Sequence, residues 1–335
     1  MVIFDLALNK FPLFSGLDQR VSSLVTAGWA TNTRAGYNSA IRRYLSFIAS
    51  YQLQPLPVTE TVILRYVAYL NMEGLVSSTI KSYLAAIRAW AISLGLPEPL
   101  IWTPRVHLAV KALSNSHSPR QPLPITYHTL SAMLSFLSPS KDHLIIASAL
   151  TLQYFGCLRA SELCSNLSQA LVPTRSDISL YHDAAGALVM SYRCHSSKTS
   201  PRGFTVHLGC SGMPACAPCI MQHYLSLHPL LPSDQLFQFT SGLPLTYNIY
   251  NSIIKDLIKS LGLDPALYSS HSLRAGAATQ AHRSGLDPAS IKRLGRWKSQ
   301  AYLAYLRPPP ESFASLAPAL VPSQKTHPPS NSNNS

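Results

Sequence analysis

Acidic residues are scarce in this chain. Its 335 residues include 14 Asp and Glu against 27 Lys and Arg, and charged residues of both signs make up only 12%. What remains is a net charge of +13 and a partner that must be anionic: nucleic acid first, an acidic membrane surface second. Residues 1–120 hold 11 basic against 5 acidic side chains, and residues 121–335 hold 16 against 9. A basic tail on a neutral enzyme is therefore excluded, and both halves are expected to meet the same polyanion. No apolar run reaches the ~18 residues of a membrane span. The opening stretch MVIFDLALNKFPLF is interrupted by Asp5 and has no small-residue cleavage site, so it is a poor signal peptide. Cysteine is absent before Cys157 and after Cys219. A disulfide scaffold would be shorter and denser, so the six cysteines point to a reducing compartment.

What is present is enough apolar residue, 47%, to bury two cores. The first part reads as helices. TRAGYNSAIRRYLSFIASY puts Tyr37, Ile41, Tyr44, Leu45 and Ile48 on one face. TETVILRYVAYLNMEG is opened by Thr59 or Thr61 and closed by Gly74. SSTIKSYLAAIRAWAISLGL turns Ile80, Tyr83, Leu84, Ile87 and Trp90 inward and stops at Gly95 and Pro97. TPRVHLAVKALSN is a further short helix. The Ser/Pro stretch over 114–126 marks a boundary. We expect a helical domain over 1–115 that meets the polyanion, a linker over 116–124, and a second domain over 125–310. Within the second, SDISLYHD, ALVMSYRC and RGFTVHLG change to strand period and suggest a small antiparallel sheet. Helical pattern resumes after Pro218 and runs to about residue 306. Residues 311–335 read as a C-terminal arm and a disordered tail. The fold class is mainly α with a small antiparallel β-sheet.

Four separated spots carry chemistry. GCLRASEL offers Arg159 with Glu162 three residues on. SSKTSPRG places Lys198 in a turn between two strands. HSLRAGAAT puts His271 and Arg274 on one helical face. GRWKSQAYLAYLR holds Trp297, Tyr302 and Tyr305. Together they suit attack on a phosphodiester. Two guanidinium groups clamp the non-bridging oxygens and hold the charge of a pentacovalent transition state. Lysine and histidine move protons to and from the reacting oxygens. A tyrosine hydroxyl serves as nucleophile. The cationic side chains make metal and cofactor unnecessary. On an α-helix three residues turn by about 300°, so Tyr302 and Tyr305 would point about 60° apart and one alone would face a phosphate.

In this order and with these local sequences, the set resembles the tyrosine recombinase (phage integrase) family. GCLRASEL is similar to the family's first arginine motif, SHSLRAGAAT to its His-x-x-Arg box, and LGRWKSQAYLAYLR to its closing segment. The likeness covers roughly residues 17–307. The resemblance implies a two-domain C-shaped clamp on double-stranded DNA and a homotetramer in synapsis. It implies Tyr305 as the nucleophile, because Tyr302 lies too close to Trp297 and only Tyr305 is followed by Leu-Arg. It implies a 3′-phosphotyrosyl link, phosphate binding by Arg159 and Arg274 with His271 and Trp297, and protonation of the leaving oxygen by Lys198. Glu162 would orient its neighbours. GRWKS looks most like recombinases of eukaryotic Crypton- or DIRS-like mobile elements, which implies a nuclear protein there and a cytoplasmic one otherwise. No membrane and no small-molecule substrate is expected.

Other readings stand beside these. Arg34, Arg42, Arg43, Lys81 and Arg88 are either a solvated face or a phosphate-binding one, and the net charge favours the second. The chain could be a transposon-derived DNA binder without catalysis, or a type IB topoisomerase-like nicking-closing enzyme. Cys210, Cys216, Cys219 and His223 have the spacing C-x5-C-x2-C-x3-H of a zinc site. PACAPCIMQHYL also resembles the recombinases' stretch that opens a helix, and free cysteines bury as small apolar groups. The expectation is therefore no metal.

Overall fold

The computed structural model describes residues 15–306, apart from 30, 97, 117–121, 166–171, 196, 198, 199 and 201. Lys198 and the expected arm and tail over 311–335 lie outside the described residues. The chain divides into two compact units, Met1–Pro119 and Arg120–Ser335.

The first unit is helical: α1 (Ser15–Ala27), α2 (Thr31–Ser50), α3 (Glu60–Met72), α4 (Ser77–Ser93) and α5 (Pro104–Ser116). Helix α1 is an addition to the sequence reading. Its apolar residues Leu17, Val21, Leu24 and Val25 stay exposed. Of the two candidate caps, Thr59 starts α3 by accepting the Val62 N–H. Gly74 and Gly95 follow α3 and α4 with φ of 77° and 71°, a left-handed turn that glycine adopts without strain. α4 packs on α2, α3 and α5. Its Trp90 lies 6.3 Å from Tyr44, which lies 5.2 Å from Tyr66, both pairs edge-on.

The second unit begins with α6 (Tyr127–Leu134) and α7 (Lys141–Phe155). Three strands follow: β1 (Ile178–His182), β2 (Leu188–Cys194) and β3 (Phe204–Gly209). They form an antiparallel sheet in the order β1-β2-β3, with Ile178 opposite Tyr192 and Cys194 opposite Phe204. Alternation turns Met190, Tyr192 and Cys194 of β2 inward. Then come α8 (Ala217–Leu227), α9 (Tyr247–Ser260), α10 (Ser270–Arg283) and α11 (Pro288–Gly295), and a 3₁₀ helix at Gln300–Tyr305.

Two of these helices are buried on every side. All residues of α7 from Leu144 to Tyr154 are buried, and so is α10 at Ser270, from Ser272 to Thr279, and at Ala281. Small residues make this possible for α10. A Cβ on Gly276 would lie 1.7 Å from the Ile125 carbonyl oxygen. The crossing chain is tied there, since Ile125 N–H donates to Ser272 O at 2.9 Å. The small residues after Arg274 are thus a crossing point for backbone. α7 and α10 pack on each other, and each delivers part of the candidate site from an end.

Candidate active site

α7 ends at Gly156, and the chain turns through Cys157 with φ of 46°. Leu158 and Arg159 follow, and Arg159 caps a 3₁₀ turn over Ala160–Glu162. Glu162 is buried and closes this turn on itself. Its Oε2 accepts the Arg159 backbone N–H at 2.9 Å, and its Oε1 accepts from the Arg159 guanidinium at 2.7 Å. The i, i+3 spacing of GCLRASEL is thus a local brace for one cation. Tyr192 of β2 donates to the Glu162 carbonyl at 2.6 Å, so the sheet holds the turn from below.

α10 supplies His271 and Arg274 from its first turns. Arg274 is fully buried. Its guanidinium donates to the Cys157 carbonyl at 2.7 Å and to the Gly295 carbonyl. Its Nε has no protein partner. Burial is the first of several effects on this group and pushes its pKa down. A buried cation with an unpaired N–H favours an oxyanion wherever one can reach it. His271 reaches solvent. Burial of its ring, then the Arg274 and Arg159 cations, push its pKa below the ordinary 6.5, so the imidazole is neutral at pH 7.

Gln153 links these two parts, and the sequence reading missed it. Its amide nitrogen donates to the Leu158 and Ser270 carbonyls at 3.2 and 2.9 Å, next to Arg159 and His271. Its oxygen accepts from Tyr250 at 2.8 Å. A glutamine inside an apolar helix was the available signal. A second omission is Arg296. It takes a left-handed conformation after α11, with φ of 56°. Its guanidinium donates to the carbonyls of Gly156 and Cys157 at 3.1 and 3.0 Å, pairs with Glu162 Oε2 at 3.5 Å, and lies 4.2 Å from the Phe204 ring. Three arginines therefore surround one buried carboxylate and the Cys157 carbonyl.

The closing segment lies over Arg274. The Trp297 ring is 4.5 Å from its guanidinium carbon, and a Cβ on Gly295 would strike that ring. This explains Gly-Arg-Trp: the glycine leaves space for the indole. Tyr302 and Tyr305 correct the helical expectation. Gln300–Tyr305 is a 3₁₀ helix, with about three residues per turn, so side chains three apart eclipse. Both rings meet Trp297, at 6.2 Å for Tyr302 and 5.4 Å for Tyr305. Burial separates them. Tyr302 is 5% exposed and belongs to the core, whereas Tyr305 is half-buried with its ring 6.0 Å from the Arg274 guanidinium. Thr279 of α10 donates to the Tyr305 carbonyl at 3.0 Å and ties this segment down.

Arg159, Glu162, Arg274, Trp297 and Tyr305 thus come together around the ends of α7 and α10, with His271 on the same rim. Lys198 lies outside the described residues. In the first unit, Arg43 pairs with Glu73 at 3.2 Å, Arg88 with Glu98, and Lys81 donates to Ser114 at 3.3 Å. Arg42 is exposed and Arg34 half-exposed on α2. Among the cysteines, Cys210, Cys216 and Cys219 converge, and His223 is not among the converging ligand atoms.

No curated protein matches the chain by sequence. Solved structures do match in fold. The Tn1549 transposon integrase (residues 82–397) with circular intermediate DNA is 15% identical with a TM-score of 0.58, covering 89% of this chain and 97% of that one. The XerH site-specific recombinase bound to palindromic difH is 15% identical with a TM-score of 0.61, covering 86% and 79%. A lambda integrase dimer bound to a core site is 19% identical with a TM-score of 0.55, covering 88% and 77%. The family model described as the phage integrase family matches residues 125–305, from the start of the second unit's core to Tyr305 itself. The chain belongs to the phage integrase family, the tyrosine recombinases.

Proposed function

We propose that this protein is a site-specific DNA recombinase that breaks and rejoins duplex DNA through a covalent tyrosyl intermediate. The observation that carries the reading is the half-buried Tyr305 ring beside Trp297 and Arg274, over a guanidinium whose Nε has no partner. A non-bridging oxygen of the scissile phosphate would take that donor, with the Arg159 guanidinium on a second oxygen. The Tyr305 hydroxyl attacks phosphorus, an O–P bond forms, and the bond to the 5′-oxygen breaks. The tyrosine proton leaves toward the neutral His271, and the departing 5′-oxygen takes a proton from Lys198. Energy of the broken bond is kept in the 3′-phosphotyrosyl ester, so rejoining needs no external source. Arg296 and Glu162 act as positioning residues, holding the cations where charge develops.

Double-stranded DNA would be the partner; the similar Tn1549 integrase is in complex with circular intermediate DNA, XerH is bound to a palindromic difH substrate, and the lambda integrase to a core site. The basic first unit would bind phosphates beside the second, and four copies would assemble on two duplexes. The GRWKS form supports an origin in a eukaryotic Crypton- or DIRS-like mobile element and work in the nucleus.

A nicked suicide substrate tests the nucleophile. Wild type and Tyr302→Phe should form a covalent DNA adduct, and Tyr305→Phe should form none while binding DNA nearly as well. An adduct retained by Tyr305→Phe and lost by Tyr302→Phe would reverse the assignment. Adduct formation without a tetrameric synapse, measured by sedimentation, would reduce the reading to nicking and closing.

A further inference from the structure

Three thiols meet where the sheet hands the chain to α8. Cys210 directly follows β3, Cys216 is the N-cap of α8, and Cys219 lies in its first turn. Cys210 Sγ is 3.3 Å from Cys219 Sγ and 3.5 Å from Cys216 Sγ, and the three sulfurs lie within 4.8 Å of one another. Sulfurs around a tetrahedral zinc, at a bond length of about 2.3 Å, sit about 3.8 Å apart. The triangle is close to one face of that tetrahedron.

Burial as apolar filler does not account for this convergence. Cys157, Cys164 and Cys194 serve that role in the core of the second unit. Cys210 and Cys219 instead reach solvent, where an ion can enter. The positive end of α8 faces the sulfurs and favours thiolate. His223 stands four residues beyond Cys219 on α8, the i, i+4 spacing by which one helix face presents two ligands to a metal.

We propose that Cys210, Cys216 and Cys219 bind a tetrahedral, thiophilic divalent cation of the zinc class, with the His223 ring rotating in as fourth ligand. Three thiol protons go to solvent, three metal–sulfur bonds form, and nothing is oxidised or reduced. The role is structural. The ion ties the end of β3 to the start of α8, and so holds the β2–β3 hairpin that carries the segment of Lys198. The proposal departs from the sequence expectation of no metal, because spacing alone does not show whether the sulfurs converge.

The test uses the full chain, purified under reducing conditions without added metal, and reads metal content, cobalt spectra and thermal stability. Expected are about one zinc per chain, cobalt uptake with sulfur-to-cobalt charge-transfer absorption, and a higher melting temperature with zinc. Cys210→Ser, Cys216→Ser and Cys219→Ser should each lose the sulfur-rich cobalt spectrum, and Cys164→Ala should keep it. His223→Ala should weaken zinc by about tenfold or more. Wild-type protein that takes up neither zinc nor cobalt overturns the proposal. So does mass spectrometry of metal-free protein finding a disulfide between two of the three cysteines. An unchanged affinity in His223→Ala removes His223 from the ligand set. These readouts are independent of DNA cleavage, so a failure of the recombinase reading would leave them standing.

Discussion

The two units use positive charge in opposite ways. In the first, arginines sit on the exposed faces of amphipathic helices, and their partners are solvent or surface carboxylates such as Glu73 and Glu98. Such pairs contribute at most about 1 kcal/mol, so these cations can exchange partners freely. In the second, Arg274 and Arg296 are held among backbone carbonyls, and Arg159 and Arg296 share the buried carboxylate of Glu162. Taking such charges out of water costs several kcal/mol unless every partner is in place. The contrast teaches that one unit supplies generic attraction to a polyanion, while the other supplies geometry at a single phosphate.

The comparison can be tested from its strongest term downward. Removing the shared carboxylate by Glu162→Gln leaves two guanidinium groups without their counter-charge. We expect a loss of about 3–5 kcal/mol in urea unfolding, together with loss of DNA cleavage. A loss under 1 kcal/mol would show that the arginines are solvated as those of the first unit are. Next is the backbone crossing. Gly276→Ala forces a methyl group into the Ile125 carbonyl, and overpacking of this kind costs about 1–3 kcal/mol. Thermal unfolding reads it, and an unchanged melting temperature would mean that residues 122–126 give way freely.

A smaller effect is expected at His271. Its pKa is depressed in the fold, so the folded state prefers the neutral ring. That contribution is whole above the ordinary value of 6.5 and is lost as pH falls through the depressed one. The ring's NMR titration should have its midpoint below 6.5, and His271→Gln should make the acid loss of stability shallower. A midpoint above 6.5 would place a carboxylate nearer the ring than either arginine. The smallest structural effect belongs to the first unit. Arg42→Ala should change stability by no more than about 0.5 kcal/mol. It should still weaken DNA binding and flatten its dependence on log salt by about one unit. An unaltered slope would remove that face of α2 from the interface.

Much of the fold was readable because its signals are local. The helices α2 to α5 repeat an apolar face at helical period, and the three strands alternate between turns. Helix α1 escaped because its apolar residues stay largely exposed. The site was readable in part for another reason: Arg159 with Glu162, and His271 with Arg274, are each neighbours on one turn. Gln153 was signalled only as a polar residue inside an apolar helix, its partners Ser270 and Tyr250 being far off in sequence, and Arg296 was not readable among ordinary surface-like cations. The angle between the paired tyrosines was misjudged because helix type, α or 3₁₀, depends on what the segment packs against.

The sequence alone determined the sign of the charge, the order of the elements and the residue types available for phosphate chemistry. Those follow from composition and from spacings of a few residues, which act within one helical turn. Tertiary structure alone decided which of these residues meet. It aimed Arg274 between the Cys157 and Gly295 carbonyls, gave Glu162 a second arginine, set Tyr302 in the core and Tyr305 at its edge, and brought Cys210 to Cys216 and Cys219. Each of these depends on long-range packing of two helices with buried middles against a sheet, where volume and unsatisfied polar groups, rather than local periodicity, select the arrangement.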